Sequence, residues 1–174
     1  KRQPLNRLRT GHPPPETAHP ESGPCGIHTY GADIWVVARE GGLARRITAT
    51  PAVESNPHFS PDGQWIAFTS NRAGVAAVYV VSVDGGDPTR LTWYPAGATA
   101  RGWSPDGDKV LYATSRGTAP SGYNRLWTVD REGGPSTMLS ASWGNDADYS
   151  GNGRRIVVDR MSRWDPEWRS YRGG

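Results

Sequence analysis

A ten-residue stretch occurs twice in this chain and returns in altered form a third time. Phe59-Ser60-Pro61-Asp62-Gly63-Gln64-Trp65-Ile66-Ala67-Phe68 reappears as Trp103-Ser104-Pro105-Asp106-Gly107-Asp108-Lys109-Val110-Leu111-Tyr112. Tyr149-Ser150-Gly151-Asn152-Gly153-Arg154-Arg155-Ile156-Val157-Val158 keeps the outline. Ser60, Ser104 and Ser150 therefore stand 44 and 46 residues apart. A period of this size marks one supersecondary unit stacked several times, as in the blades of a propeller.

The surrounding residues repeat in the same register. Ile34-Trp35-Val36-Val37 is matched by Val78-Tyr79-Val80-Val81 and Leu126-Trp127-Thr128-Val129, and a glycine pair follows each (Gly41-Gly42, Gly85-Gly86, Gly133-Gly134). Arg46-Ile47-Thr48, Arg90-Leu91-Thr92 and Met138-Leu139-Ser140 come next. Four elements thus recur together, each a run of β-branched and aromatic residues bounded by turn formers, which is the pattern of short strands. Pro-Asp-Gly between two such runs predicts a hairpin: proline presets φ, the aspartate bonds its own backbone, and glycine accepts positive φ. Asn152-Gly153 gives an equivalent turn signal where Pro-Asp is lost. Ser60, Asp62, Ser104 and Asp106 are therefore turn formers before they are anything else.

Both alternating faces of Trp65-Ile66-Ala67-Phe68 and Val78-Tyr79-Val80-Val81 are apolar, whereas a sheet with one wet face alternates apolar with polar. Both faces must be covered, as they are when antiparallel blades pack face to face around an axis. A flat sandwich would cover them too, but gives no reason for the period. The fold class expected is all-β, a partial propeller of four-stranded antiparallel blades, about two complete and two incomplete. The divisions are a half blade at 31–50, blades at 56–92 and 99–140, and the start of a further blade at 146–174. Residues 1–30 read as a disordered Pro-rich segment, with His12-Pro13-Pro14-Pro15, Pro20 and Pro24 and few apolar side chains. Propellers typically close about four to eight blades, so the chain reads as part of a longer protein.

Composition narrows the chemistry. In 174 residues there is one cysteine, Cys25, which excludes an intrachain disulfide and a cysteine metal cluster. His12, His19, His28 and His58 show no metal-ligand spacing. No apolar run approaches the roughly 18 to 20 residues that span a bilayer as a helix, and no apolar segment follows the basic Lys1-Arg2 as in a signal peptide. Neither membrane association nor a cofactor is expected.

Residues 31–153 carry 10 basic and 12 acidic side chains, and residues 154–174 carry 6 arginines against 3 acids. Trp164 and Trp168 among Arg160, Arg163, Arg169 and Arg172 have the ingredients of a nucleic-acid surface. Arginine stacked on tryptophan beside carboxylates also packs blade edges, and no nucleic-acid partner is expected. The sequence contains no Gly-x-Ser-x-Gly elbow, His-Glu-x-x-His, phosphate loop or dinucleotide fingerprint. No catalytic residue is assigned.

The unit running from Asp33-Ile34-Trp35-Val36-Val37 through Gly41-Gly42, Arg46-Ile47-Thr48 and Asn56-Pro57-His58-Phe59-Ser60-Pro61-Asp62-Gly63 to Ile66-Ala67-Phe68-Thr69-Ser70-Asn71-Arg72 resembles the propeller repeat of tricorn-type serine proteases and of Tol-Pal periplasmic propeller proteins. The segment Asp159 to Gly174, with Arg163-Trp164-Asp165-Pro166-Glu167-Trp168-Arg169, resembles the stretch after the third hairpin in the tricorn type. That resemblance implies a non-catalytic N-terminal propeller on a substrate or product path to a downstream serine peptidase site in the cytoplasm. The alternative is a non-enzymatic Tol-type propeller, a periplasmic scaffold for protein partners. In this repeat family the strand entering each Ser-Pro-Asp-Gly turn is innermost, which makes Asn56, His58, Arg101, Asp146 and Asp148 candidates to line the channel. The expected partners are peptides or unfolded polypeptide in that channel, the remaining domains of the parent chain, and a second copy of the chain at its open edges.

Overall fold

The computed structural model describes residues 25–118, 123–140 and 143–159, and every regular element among them is a strand. The thirteen strands form four separate antiparallel sheets. The first contains β1 (Cys25–Tyr30), β2 (Asp33–Ala38) and β3 (Arg45–Arg46). The second is β4 (Glu54–Phe59), β5 (Trp65–Ser70), β6 (Ala77–Ser82) and β7 (Thr89–Arg90). The third repeats that order with β8 (Thr99–Trp103), β9 (Lys109–Thr114), β10 (Arg125–Asp130) and β11 (Thr137–Met138). The fourth pairs β12 (Asp146–Tyr149) with β13 (Ile156–Asp159). Consecutive strands pair throughout, so each sheet is a meander and the chain is an open, partial propeller.

One boundary is corrected. The sequence reading placed Cys25–Tyr30 in a disordered segment and gave the first blade two strands, yet β1 pairs with β2 along its whole length, from Cys25↔Ala38 to Tyr30↔Asp33. The connection is the two-residue turn Gly31-Ala32, at φ 61° and 70°, a geometry that twists with its strands. Alanine is a poor marker for such a turn. The expectation of disorder for 1–24, and the arginine-tryptophan segment from Arg160 onward, lie outside the described residues.

Three apolar seams hold the sheets together, because each strand sends alternate side chains to opposite faces. Ile34, Val36 and Ile47 of the first sheet meet Ile66, Phe68, Tyr79 and Val81 of the second. The opposite face of the second sheet, with Ala67, Val78, Val80 and Leu91, meets Ala100, Trp103, Val110, Tyr112 and Val129 of the third. Leu111, Ala113 and Leu126 then meet Ala147, Ile156 and Val158. Each buried Val, Leu, Ile or Phe contributes about 1.5–3 kcal/mol. The seams are also stitched by equivalent backbone bonds: the amides of Glu54, Ala98 and Gly144 donate to the carbonyls of Ala32, Ala76 and Asn124 at 3.0, 2.9 and 2.9 Å.

The repeated Arg-x-Thr has a local purpose. Thr48 and Thr92 accept the Ile34 and Val78 amides on Oγ1, both at 2.9 Å. Arg46 and Arg90 donate from Nε to the carbonyl of the same threonine at 2.9 and 2.6 Å. Each pair fixes a short outer strand to the strand beside it.

Candidate functional site

The serines and aspartates of the repeat build turns. Ser60 Oγ donates to Asp62 Oδ1 at 2.5 Å, Asp62 accepts the Gln64 amide at 3.0 Å, and the Trp65 amide donates back to Ser60 Oγ at 2.9 Å. Ser104 and Asp106 repeat this with the Asp108 and Lys109 amides at 3.1 and 2.9 Å. In the third copy Asn152 replaces the aspartate, accepts Ser150 Oγ at 2.9 Å and the Arg154 amide at 3.1 Å, and the geometry survives. The serine hydroxyl, followed by the backbone amide, holds the Asp62 and Asp106 carboxyls below their ordinary value. These hydroxyls are committed to side-chain and backbone oxygens within their own turns. Among the described residues no group of His, Cys, Asp and Glu could hold a metal ion, and no helix is long and apolar enough to cross a membrane.

The strands entering these turns, β4, β8 and β12, each lie at the edge of their own sheet. Across the seams β4 packs beside β8 and β8 beside β12, which makes a row of first strands. Two of them are bulged at the same place. In β4 the register shifts between Ser55 and His58, leaving Asn56 and Pro57 between the paired residues; in β8 it shifts between Ala100 and Gly102, leaving Arg101 as the extra residue. Asn56 has φ 51° and Gly102 φ 141°. Pro57 has no N–H to lose and suits an edge bulge. β12 is continuous from Asp146↔Asp159 to Tyr149↔Ile156. Bulges re-aim side chains, so Arg101 has no counterpart in β12.

All five channel candidates stand on this row. Asn56 is exposed on β4, and His58 is half-buried with its carbonyl accepting Trp103 Nε1 at 3.0 Å. Arg101 reaches from β8 to Asp146 on β12, Nη1 to Oδ2 at 3.9 Å, while its Nε is buried without a partner. Asp146 also accepts the Ala147 amide at 2.9 Å. Asp148 is exposed and has no ion pair among the described residues. The structure thus joins Arg101 to Asp146 directly and puts the other three on the same row.

Sequence reasoning passed over a second repeated constellation. Arg72 follows β5 and lies over the rings of Phe68 and Tyr79, 5.4 and 4.9 Å from their centroids, while pairing with the fully buried Glu54 carboxylate. Thr50 Oγ1 donates to the same carboxylate oxygen at 3.3 Å. Arg116, 44 residues later, lies over the rings of Tyr94 and Trp127, 3.9 and 5.1 Å from their centroids. The signal was visible as Asn71-Arg72 and Ser115-Arg116 at one register position. Burial pushes the Tyr112 phenol beneath this arginine up to about 12, so it stays protonated.

Residues 27–174 match the family described as the tricorn protease N-terminal beta propeller domain. Tricorn protease homolog 1 of Streptomyces coelicolor is 34% identical over 145 residues, covering 82% of this chain and 13% of that protein. The Tol-Pal system protein TolB of Bordetella pertussis is 46% identical over 44 residues, 25% of this chain and 10% of that one. The crystal structure of the tricorn protease superposes with a TM-score of 0.68 at 23% identity, over 78% of this chain and 14% of that chain; at that identity the likeness speaks to fold. The chain therefore spans a small part of the length of the proteins it matches.

Proposed function

The chain belongs to the family of tricorn protease N-terminal beta propeller domains, and from that premise we propose that it forms part of a path by which peptides travel to or from a serine peptidase site elsewhere in a longer polypeptide. The observation that carries this reading is the row of β4, β8 and β12, with Asn56, His58, Arg101, Asp146 and Asp148 along it. A wall of mixed charge and amide character, with one arginine already paired to one aspartate, gives polypeptide many weak polar contacts and no single tight one. That suits passage rather than storage. In this reading the catalytic groups belong to the rest of the parent polypeptide, and the expected partners are peptides in transit and that polypeptide. A cytoplasmic setting goes with this reading.

A scaffold of the Tol type, periplasmic and non-enzymatic, is the second reading, favoured by the stretch of 46% identity to TolB. That stretch of 44 residues is one repeat long, whereas the tricorn homologue aligns over 145 residues. The longer match weighs toward the peptidase family. In the full-length polypeptide, Arg101→Ala combined with Asp148→Ala should slow turnover of long peptides while sparing short ones. Unchanged long-peptide turnover would remove the path, and a folded full-length protein inert on all peptides would favour the scaffold.

A further inference from the structure

The third hairpin turn keeps the shape of the other two while its chemistry changes at the acceptor. Ser150 Oγ and the Arg154 amide donate to Asn152 Oδ1 at 2.9 and 3.1 Å, where Asp62 and Asp106 take the matching hydroxyls and amides on a carboxylate. Asn152 is followed by Gly153, whereas the other five asparagines precede arginine, proline or aspartate (Asn6-Arg7, Asn56-Pro57, Asn71-Arg72, Asn124-Arg125, Asn145-Asp146). Glycine puts no side chain in the way when its backbone nitrogen approaches the preceding side-chain amide, and residues 151–155 are all exposed to water. The closed turn guards against that approach. The Gly153 amide proton is held by the Ser150 carbonyl at 2.7 Å, and the Arg155 amide donates to Ser150 Oγ at 3.0 Å. The guard is only as strong as the fourth sheet, which has two strands among the described residues, and a two-stranded hairpin opens at the low end of local free energies.

We propose that Asn152 is a site of spontaneous deamidation whose rate is set by opening of the β12–β13 hairpin. In the open turn the Gly153 nitrogen gives its proton to solvent base and bonds to Asn152 Cγ; the Cγ–Nδ2 bond breaks and ammonia leaves, closing a succinimide ring. Water then splits the ring. Addition at Cγ breaks the bond from Cγ to the Gly153 nitrogen and yields aspartate, and addition at the Asn152 backbone carbonyl carbon breaks the original peptide bond and yields isoaspartate. Aspartate makes the bonds from Ser150 and Arg154 charge-assisted, roughly twice as strong, and brings the third turn into line with the first two. Isoaspartate adds a methylene to the backbone of a hairpin paired from Asp146↔Asp159 to Tyr149↔Ile156. The Ser150–Arg155 bonds then cannot close in the same register, and Ile156 and Val158 lose their seat against Leu111 and Leu126.

The test follows the full chain at neutral and mildly alkaline pH by tryptic mapping and mass spectrometry. The readouts are the mass gain of amide-to-acid conversion at each asparagine, and cleavage by an endoprotease that cuts before aspartate but not before isoaspartate. Conversion is expected at Asn152 ahead of the other asparagines, faster at the higher pH, and about ten- to hundredfold slower than in guanidinium chloride. Ser150→Ala removes three bonds that shut the turn and should raise the native rate about two- to tenfold. Asn152→Asp should retain the circular dichroism of the parent chain, since two folded turns already hold that carboxylate. An equal rate in native and denatured chain, no conversion of the native chain over many times the interval that suffices in denaturant, an unchanged rate in Ser150→Ala, or a disrupted Asn152→Asp would overturn the proposal. If Ser150→Ala unfolds the chain, the comparison of native with denatured protein still decides.

Discussion

Asp62, Asp106 and Asn152 do one job with two chemistries, and acid separates them. The two aspartates titrate below their ordinary value of 3.8 because the serine hydroxyl and a backbone amide favour the charged form. A carboxylate depressed in the folded state contributes stability that is present above its unfolded value and is lost as pH falls through the folded one. Asp62→Asn with Asp106→Asn should therefore flatten the decline in thermal midpoint as pH falls below about 4, while keeping the turns, as Asn152 does. An unaltered decline would show that these carboxylates do not carry it. Gly144 makes the opposite kind of demand. A methyl group there would stand 2.6 Å from Val158 Cγ1 and 2.8 Å from Leu126 Cδ1, and Leu126 is fully buried. Gly144→Ala should cost about 1–3 kcal/mol in denaturant unfolding; a neutral result would mean that the fourth sheet packs loosely on the third.

Among the elements, the hairpins were the easiest to read, because Pro-Asp-Gly and Asn-Gly have local mechanisms that act without tertiary help. The outer strands were legible for the same reason through Arg-x-Thr. What escaped was whatever depends on the neighbouring sheet. The bulges at Asn56-Pro57 and Arg101-Gly102 have no common residue type, and the hairpin at Gly31-Ala32 has a weak turn signature. The Arg72–Glu54 pair joins residues whose relation appears only once strands are stacked. Of the candidate site, the strands and residue positions followed from the repeat, whereas the Arg101–Asp146 contact required the seam. One such seam contact makes a direct prediction. Thr69 Oγ1 on β5 accepts the Ala100 amide of β8 at 2.9 Å, and Ala100 is wholly buried. Thr69→Val keeps the shape and removes the acceptor, so it should cost about 1–3 kcal/mol and speed hydrogen exchange at Ala100. Exchange at the original rate would show that this bond does not tie the sheets.

At the scale of the whole molecule, the first and last sheets show what a ring of sheets would cover. His28 and Tyr30 of β1 are exposed, Val157 of β13 is 74% exposed, and among the described residues both strands are paired on one side only. Open strand edges and apolar faces invite further chains, so the isolated chain should associate as its concentration rises in sedimentation velocity. A compact monomer at all concentrations would mean that these edges are closed. Passage of peptide along the row where β4, β8 and β12 stand side by side is the central expectation. It is tested most directly by placing a photoreactive side chain at Asn56, Arg101 or Asp148 in the full-length polypeptide, and at exposed Thr137 on the outer strand as a control, then irradiating during turnover of a long peptide. Capture of the peptide from the three inner positions and not from Thr137 is the result predicted, and capture that is equal at Thr137 or absent from all three inner positions would contradict it.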